Sequence, residues 1–174
     1  NHAGERVSVT QPGKTILYSY DPAGRLLSVT DESVTSFAYD KNGGKIGEGV
    51  SGGLQQQWSY DALNRCTLQR ALNPAGQELY CAEYTFNHVG KRLSIHEKLP
   101  LPDGSPSQRQ MQYTYDGQYR LEAEEIYETG GAASRRAYTY DTRGNRLSMT
   151  RTSGGTQTVT LYTYNEADQL LSEA

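Results

Sequence analysis

Large and small side chains alternate along short stretches of this chain, and each stretch ends in a turn sequence. "YTYDTRGNRLSMT" at 138–150 is one example, and "YSYDPAGRLLSVT" at 18–30 and "YTFNHVGKRLSIH" at 84–96 have the same form. Two rings separated by one small residue lie on one face of a strand, with the small side chain on the other. Turn signals recur between such stretches without helical periodicity, which predicts about fifteen β-strands in an antiparallel meander.

The alternating stretches are copies of one unit centred on an acid or an amide. The central residues are Asn1, Asp21, Asp40, Asp61, Asn87, Asp116, Asp141 and Asn165. Two aromatic slots precede each of the last seven, filled by Tyr18/Tyr20, Phe37/Tyr39, Trp58/Tyr60, Tyr84/Phe86, Tyr113/Tyr115, Tyr138/Tyr140 and Tyr162/Tyr164. We therefore expect one repeat array over residues 1–174, of about seven and a half copies with Asx turns at these positions. Because residue 1 is Asn, we expect the array to be a fragment of a longer protein.

The residues after each acid have the chemistry of a tight turn. "DPAG" at 21–24 fits a type I turn closed by a glycine bulge, with the aspartate side chain accepting a downstream backbone N–H. The fourth slot is expected to need a positive φ, and glycine fills it at Gly4, Gly24, Gly43, Gly90 and Gly144. Asn64 and Asp168 also tolerate that conformation. Tyr119 does not, so we expect another geometry at 116–119.

A second set of turns alternates with the first. They are "QPGK" 11–14, "DESV" 31–34, "SGG" 51–53, "NPAG" 73–76, "PDGSP" 102–106, "TGG" 129–131 and "SGG" 153–155. The longest connection, at 98–108, is the best candidate for a flexible loop.

A basic residue follows most turns of the first set: Arg6, Arg25, Lys45, Arg65, Arg92, Arg120 and Arg146. These residues are expected to neutralise the acids or to lie over tyrosine faces. The slots opposite the rings are mostly polar, whereas a sandwich needs aliphatic residues on both inner faces. The predicted fold is therefore all-β: a single continuous antiparallel meander of hairpins, forming a curved or spiralling strip that is wet on at least one face.

Composition excludes several classes of protein. The chain is 35% hydrophobic with a mean hydropathy of −0.76, yet it has fourteen tyrosines, which argues against disorder. Its net charge of −3 comes from mixed signs, so we expect no nucleic-acid groove, and no apolar run is long enough for a membrane span. Cys66 and Cys81 are too few for a disulfide scaffold, and whether they are bonded to each other stays open.

No residue pattern indicates catalysis, a metal or a cofactor. The acids sit in equivalent turns, whereas a catalytic carboxylate needs one special environment. His2, His88 and His96 are scattered along the chain and lack metal-ligand spacing. Glu122, Glu124, Glu125 and Glu128 are expected to form a solvated strand face. Aromatic rows beside polar groups also suit sugar binding, which leaves a carbohydrate-binding module as an alternative.

The unit [YFW]-x-[YF]-[DN]-x-x-G-x-[RK]-L resembles the YD repeat of the Rhs/YD-repeat family, over essentially the whole chain. The resemblance implies β-strips that spiral into a hollow shell, which encloses a C-terminal toxin in bacterial members and is related to the shell of animal teneurins. It implies a structural, non-enzymatic shell segment of a secreted or cell-surface protein. The implied partners are the remaining repeats and an enclosed toxin or effector domain, with adhesion to glycans as the alternative.

The strands expected near 5–10 and 168–173 would offer unpaired backbone groups at the two edges of the sheet. They contain no proline or inward-facing lysine to block pairing. We therefore expect concentration-dependent self-association through these terminal strands.

Overall fold

A computed structural model describes residues 4–100 and 104–174, and every regular element within those ranges is a β-strand. The strands are β1 (Ser8–Gln11), β2 (Lys14–Tyr20), β3 (Leu26–Thr30), β4 (Val34–Tyr39), β5 (Lys45–Val50), β6 (Gln55–Tyr60), β7 (Cys66–Leu72), β8 (Glu78–Phe86), β9 (Arg92–Pro100), β10 (Pro106–Tyr115), β11 (Leu121–Glu128), β12 (Ser134–Tyr140), β13 (Arg146–Ser153), β14 (Thr156–Tyr164) and β15 (Leu170–Glu173). In these ranges no helix is long and apolar enough to cross a membrane.

The strands follow one another in the sheet in chain order, from β1 to β15. Neighbours pair antiparallel, with Tyr18 opposite Val29 in the β2–β3 hairpin and Tyr138 opposite Met149 in the β12–β13 hairpin. The predicted fold, an all-β antiparallel meander, is therefore confirmed. The chain divides into two compact units, Asn1–Ala82 and Glu83–Ala174.

The two faces of the strands differ in burial as the alternation predicts. All fourteen motif aromatics are half-buried, and the small residues between them are exposed. The buried hydrophobic residues of the described chain are Cys81 and Ala82 in the first unit and Ile95, Met111 and Ala123 in the second. Each is at most 7% exposed. Cys81 and Ala123 lie on the face opposite the rings, since Cys81 is three residues from Tyr84 and Ala123 pairs with Thr114, so this small core has members on both faces of the strands.

A bulge recurs at the same place in six hairpins. Tyr18 pairs with Val29 and Ser19 with Ser28, so a regular ladder would set Tyr20 opposite Leu27, but Tyr20 pairs with Leu26. One residue is inserted in this way at Leu27, Ile46, Thr67, Glu122, Leu147 and Leu171. Beside the inserted residue, the Ser19 and Ser28 hydroxyls meet at 2.6 Å, and the Thr139 and Ser148 hydroxyls do the same. The sequence analysis missed this bulge, although the spacing of the two hydroxyl residues could have indicated it.

Two expected boundaries differ from those observed. The connection expected at 98–108 is shorter, because β9 continues to Pro100 and β10 begins at Pro106, and these two prolines are paired. A proline at the end of a strand removes one ladder donor without interrupting the strand. The first strand is Ser8–Gln11 rather than 5–10. The turn expected at Asn1, His2, and positions 102–103 of the "PDGSP" turn lie outside the described residues.

The two cysteines are both thiols, and no disulfide joins Cys66 to Cys81. Cys66 is half-buried and its Sγ–H donates to the Leu68 carbonyl at 3.3 Å, whereas Cys81 is buried.

Candidate functional site

Each repeat is held by one Asx turn, seen clearly at Asp116. The Asp116 N–H donates to the Arg120 carbonyl and the Tyr119 N–H donates to the Asp116 carbonyl, both at 2.9 Å. Its side-chain Oδ1 accepts from the N–H groups of Gln118 and Arg120, again at 2.9 Å. The same four bonds recur at Asp21, Asp40, Asp61, Asn87, Asp141 and Asn165. One oxygen thus satisfies two backbone donors, so aspartate and asparagine serve equally well.

The turn at Asn73 has this geometry too, although its sequence belongs to the second set. Asn73 Oδ1 accepts from the N–H groups of Ala75 and Gln77, and Gly76 has a φ of 79°. No aromatic pair precedes it. The Asx–glycine turn therefore forms without the rings, and the sequence grouping overlooked it.

The expectation of a different geometry at Tyr119 was wrong. Tyr119 has a φ of 61° and takes the place that glycine holds in the Asp141 turn, where Gly144 has a φ of 98°. A tyrosine in this region is strained, so its surroundings must hold it there. The four turn bonds do so, together with an edge-on contact between the Tyr119 and His88 rings at 6.2 Å.

In five copies the second aromatic is a tyrosine that ties the copy to the preceding one. Its phenol donates to the carbonyl of the residue five positions after the preceding acid or amide. The pairs are Tyr20 to Arg6, Tyr39 to Leu26, Tyr60 to Lys45, Tyr115 to Arg92 and Tyr140 to Leu121, at 2.7–3.0 Å. We call these bonds the tyrosine staples. They give the phenol a structural role that the strand pattern did not reveal.

The basic residues occupy two different positions. Arg25, Arg65 and Arg120 come four residues after the acid, and each Nε donates to the Oδ2 of its own aspartate at 2.6 Å. Two of them also reach the following turn, where Arg25 Nη1 donates to the Asp40 carbonyl and Arg120 Nη1 to the Asp141 carbonyl.

Lys45, Arg92 and Arg146 come five residues after the acid and lie over first-slot rings. Lys45 Nζ is 4.7 Å from the centre of the Trp58 ring. The guanidinium carbons of Arg92 and Arg146 are 4.9 and 4.5 Å from the Tyr84 and Tyr138 rings. Arg25 and Arg120 cover second-slot rings, Tyr39 and Tyr140, at 4.9 and 4.7 Å. Both roles expected of the basic residues, ion pairing and ring contact, therefore occur.

The turn environment lowers the pKa of Asp21, Asp61 and Asp116. The backbone N–H of the arginine four residues on is the largest cause, partial burial opposes it, and the guanidinium adds to the lowering. Burial raises the pKa of the Tyr113 and Tyr138 phenols. Carboxylates held ionised, with their oxygens occupied by donors, suit a structural role and not that of a general acid.

The glutamate cluster does not form one solvated face, so that expectation was wrong. Glu124 accepts from Arg136 at 2.6 Å and from the Tyr138 phenol at 3.1 Å. Glu125, on the opposite face because strand residues alternate, accepts from Tyr127 at 2.6 Å. Within residues 4–100 and 104–174, no group of three His, Cys, Asp or Glu side chains could hold a metal ion.

Fold and turn together define a β-repeat protein built from Asx-turn hairpins. The family model described as RHS Repeat matches residues 1–33. Residues 1–33 thus match the RHS repeat, and this match confirms the resemblance to the Rhs/YD-repeat family over that part of the chain. No curated protein sequence matches the chain.

Two crystal structures share the fold. The TcdB2-TccC3-Cdc42 structure matches with a TM-score of 0.64 and 19% identity over 88% of this chain. The TcdB2-TccC3-TEV structure matches with a TM-score of 0.60 and 19% identity over 87%. This chain spans about one tenth of the length of either matched chain, since it covers 10% of each.

Proposed function

We propose that the chain is a non-enzymatic wall segment of an Rhs-type shell. The observation that carries the proposal is the use of the motif side chains. The Tyr140 phenol donates to a backbone carbonyl, and the Asp116 side chain accepts within its own turn. Arg120 donates both to Asp116 in its own turn and to a carbonyl of the next turn. Side chains that could bind or react instead join one repeat to its neighbour, which is what a wall requires.

The repeat array of this wall extends over residues 1–174 and belongs to a longer protein. The recurring turn bonds from Asp21 to Asn165 support the array. The similarity to about one tenth of much longer chains supports the longer protein. In it the wall encloses or protects a toxin or effector region, and the remaining repeats complete the shell. The protein is secreted or displayed at the cell surface.

The alternative, carbohydrate binding through the motif rings, has less support. Stacking on a sugar needs an open ring face, and cations lie 4.5–4.9 Å from the centres of five rings. These rings are Tyr39, Trp58, Tyr84, Tyr138 and Tyr140. Binding on a glycan array that an exposed-ring variant abolishes without loss of stability would favour the alternative.

Limited proteolysis of the full-length parent protein tests the wall. The region outside the repeats should resist protease in the native protein. It should be cut in an Asp141→Ala, Gly144→Val variant, which lacks the turn acceptor and the left-handed glycine. An Asp141→Asn, Thr142→Val variant, which keeps the turn acceptor and Gly144, is the control. Equal cleavage of the outside region in native and variant proteins, or hydrolytic turnover by the repeat segment itself, would contradict the proposal.

A further inference from the structure

Three residues with side chains adopt the left-handed conformation in the described chain: Asn64, Tyr119 and Asp168, with φ of 60°, 61° and 58°. All three fill the fourth slot of an Asx turn, where glycine would be free of strain. From the Asp61 copy onward they belong to every second copy, because Gly90 and Gly144 fill the slot in the intervening copies. A strained backbone conformation persists where surrounding contacts hold it in place. The contacts of these three side chains therefore matter to how the conformation is held.

Two of the three side chains contact the turn of the preceding repeat. The Tyr119 ring lies edge-on to the His88 ring, with centroids 6.2 Å apart. Asp168 Oδ1 accepts from Asn145 Nδ2 at 2.7 Å and lies 3.4 Å from Arg143 Nη1. The chemistry differs between the two contacts: ring against ring in one, and carboxylate against amide and guanidinium in the other.

At Gly24 the fourth slot also faces the preceding turn, although no side chain is present there. A Cβ built on Gly24 would lie 2.7 Å from Oε1 of Glu5, which belongs to the turn before it. Three slots therefore point at the neighbouring turn, and at Asn64 no such contact is described.

In the second unit these contacts join with an arginine to form a continuous path along the turns. His88 contacts Tyr119, Arg120 donates to the Asp141 carbonyl at 2.9 Å, and Asn145 donates to Asp168. Four consecutive turns are thus connected side by side, in addition to the strand ladders.

We infer that Tyr119 and Asp168 are specificity-determining residues for docking between repeats: each recognises the turn before it, through an aromatic contact with His88 or through polar contacts with Asn145 and Arg143. Chain connectivity sets which turns are neighbours, and the unlike pairs at the fourth slot favour these native neighbours over mispaired repeats with identical Asx turns. The inference rests on the repeat array and not on the shell-wall role, so it can fail while that role stands.

Glycine substitutions in the 174-residue chain separate contact from strain. Asn64→Gly removes strain and no described side-chain contact, so it should leave the melting temperature unchanged or raise it. Tyr119→Gly and Asp168→Gly relieve the same strain but lose a neighbour, so each should lower the melting temperature. Asp168→Asn, which keeps an acceptor and tolerates the conformation, should lower it less than Asp168→Gly.

A double-mutant cycle of Tyr119→Asn with His88→Ala gives the decisive measurement. Asparagine tolerates positive φ, so the cycle reports the ring contact without the freedom of an added glycine. We expect the second substitution to have little further effect once the first is present. Additive effects in the cycle, or a Tyr119→Gly variant as stable as Asn64→Gly, would overturn the inference.

Discussion

The phenol of Tyr140 donates a hydrogen bond of 2.7 Å to the backbone carbonyl of Leu121. The two residues lie on adjacent strands, β12 and β11, and in different repeats. The Tyr140 ring is also covered by Arg120 of the preceding repeat, at 4.7 Å. One side chain thus combines strand packing, ring contact and a polar bond at a single junction between repeats.

Removing this hydroxyl should weaken the junction. Tyr140→Phe should lower the free energy of unfolding by about 1 kcal/mol, because the half-buried carbonyl loses its donor while the ring stays. Thr139→Ala is the matched control, since its hydroxyl pairs with Ser148 on the exposed face and should contribute less. Chemical denaturation of both variants measures the difference. Equal losses of unfolding free energy in the two variants would contradict the prediction that the tyrosine staple is stronger than the Thr139–Ser148 hydroxyl contact.

The left-handed turn position should reject branched side chains. Gly144 has a φ of 98° and open space where a Cβ would lie, so the cost of Gly144→Val arises from the backbone alone. We expect a loss of about 1–3 kcal/mol. Thr142→Val, an exposed change in the same turn, should stay within about 0.5 kcal/mol. Indistinguishable melting temperatures for the two variants would count against the turn assignment.

Acid should weaken the fold through the turn aspartates. The pKa values of Asp21, Asp61 and Asp116 are lower in the folded chain than the ordinary value of 3.8. Their contribution to stability is therefore complete above that value, and it is lost as the pH falls through 3.8 and past the lowered pKa values. The melting temperature should fall steeply in that window.

A triple variant with asparagine at these three positions provides the control for acid. Asparagine keeps the Oδ1 acceptor, as Asn87 and Asn165 do, but carries no charge to titrate. Its melting temperature should depend less on pH over the same window. An unchanged acid slope in the triple variant would assign the effect to other groups.

The arginine four residues after the acid should resist replacement by lysine. Arg120 uses Nε for Asp116 and Nη1 for the Asp141 carbonyl, and a lysine ammonium lacks this planar fork. Arg120→Lys should lower the melting temperature by a few degrees. Arg135→Lys should have little effect, because its contact with Glu125 at 3.2 Å is half-exposed. A larger effect at Arg135 would refute this ranking.

The turns and strands could be predicted from local residue types, whereas the contacts that depend on strand register could not. Asp141 and Gly144 carry their turn in their own residue types, and ring alternation shows the strand face. The acceptor of Tyr140 depends on the register of β12 against the preceding strand β11, where Ala123 pairs with Ala137, and the residue types alone do not fix that register. Tyr119 was misjudged because conformational preference is a weak guide where four hydrogen bonds and a neighbouring ring oppose it.

The order of the strands has a consequence for how the chain becomes structured. Each strand pairs with the strands immediately before and after it in the chain, and most connecting turns are short. Closing a short loop costs little entropy, and each hairpin pairs only residues that are close in the chain. A hairpin can therefore form before the residues that follow it are available. The meander can therefore assemble progressively from one end, each added hairpin using the last strand as its template. A chain of this design is suited to emerging in an extended form through a narrow exit and folding as it appears.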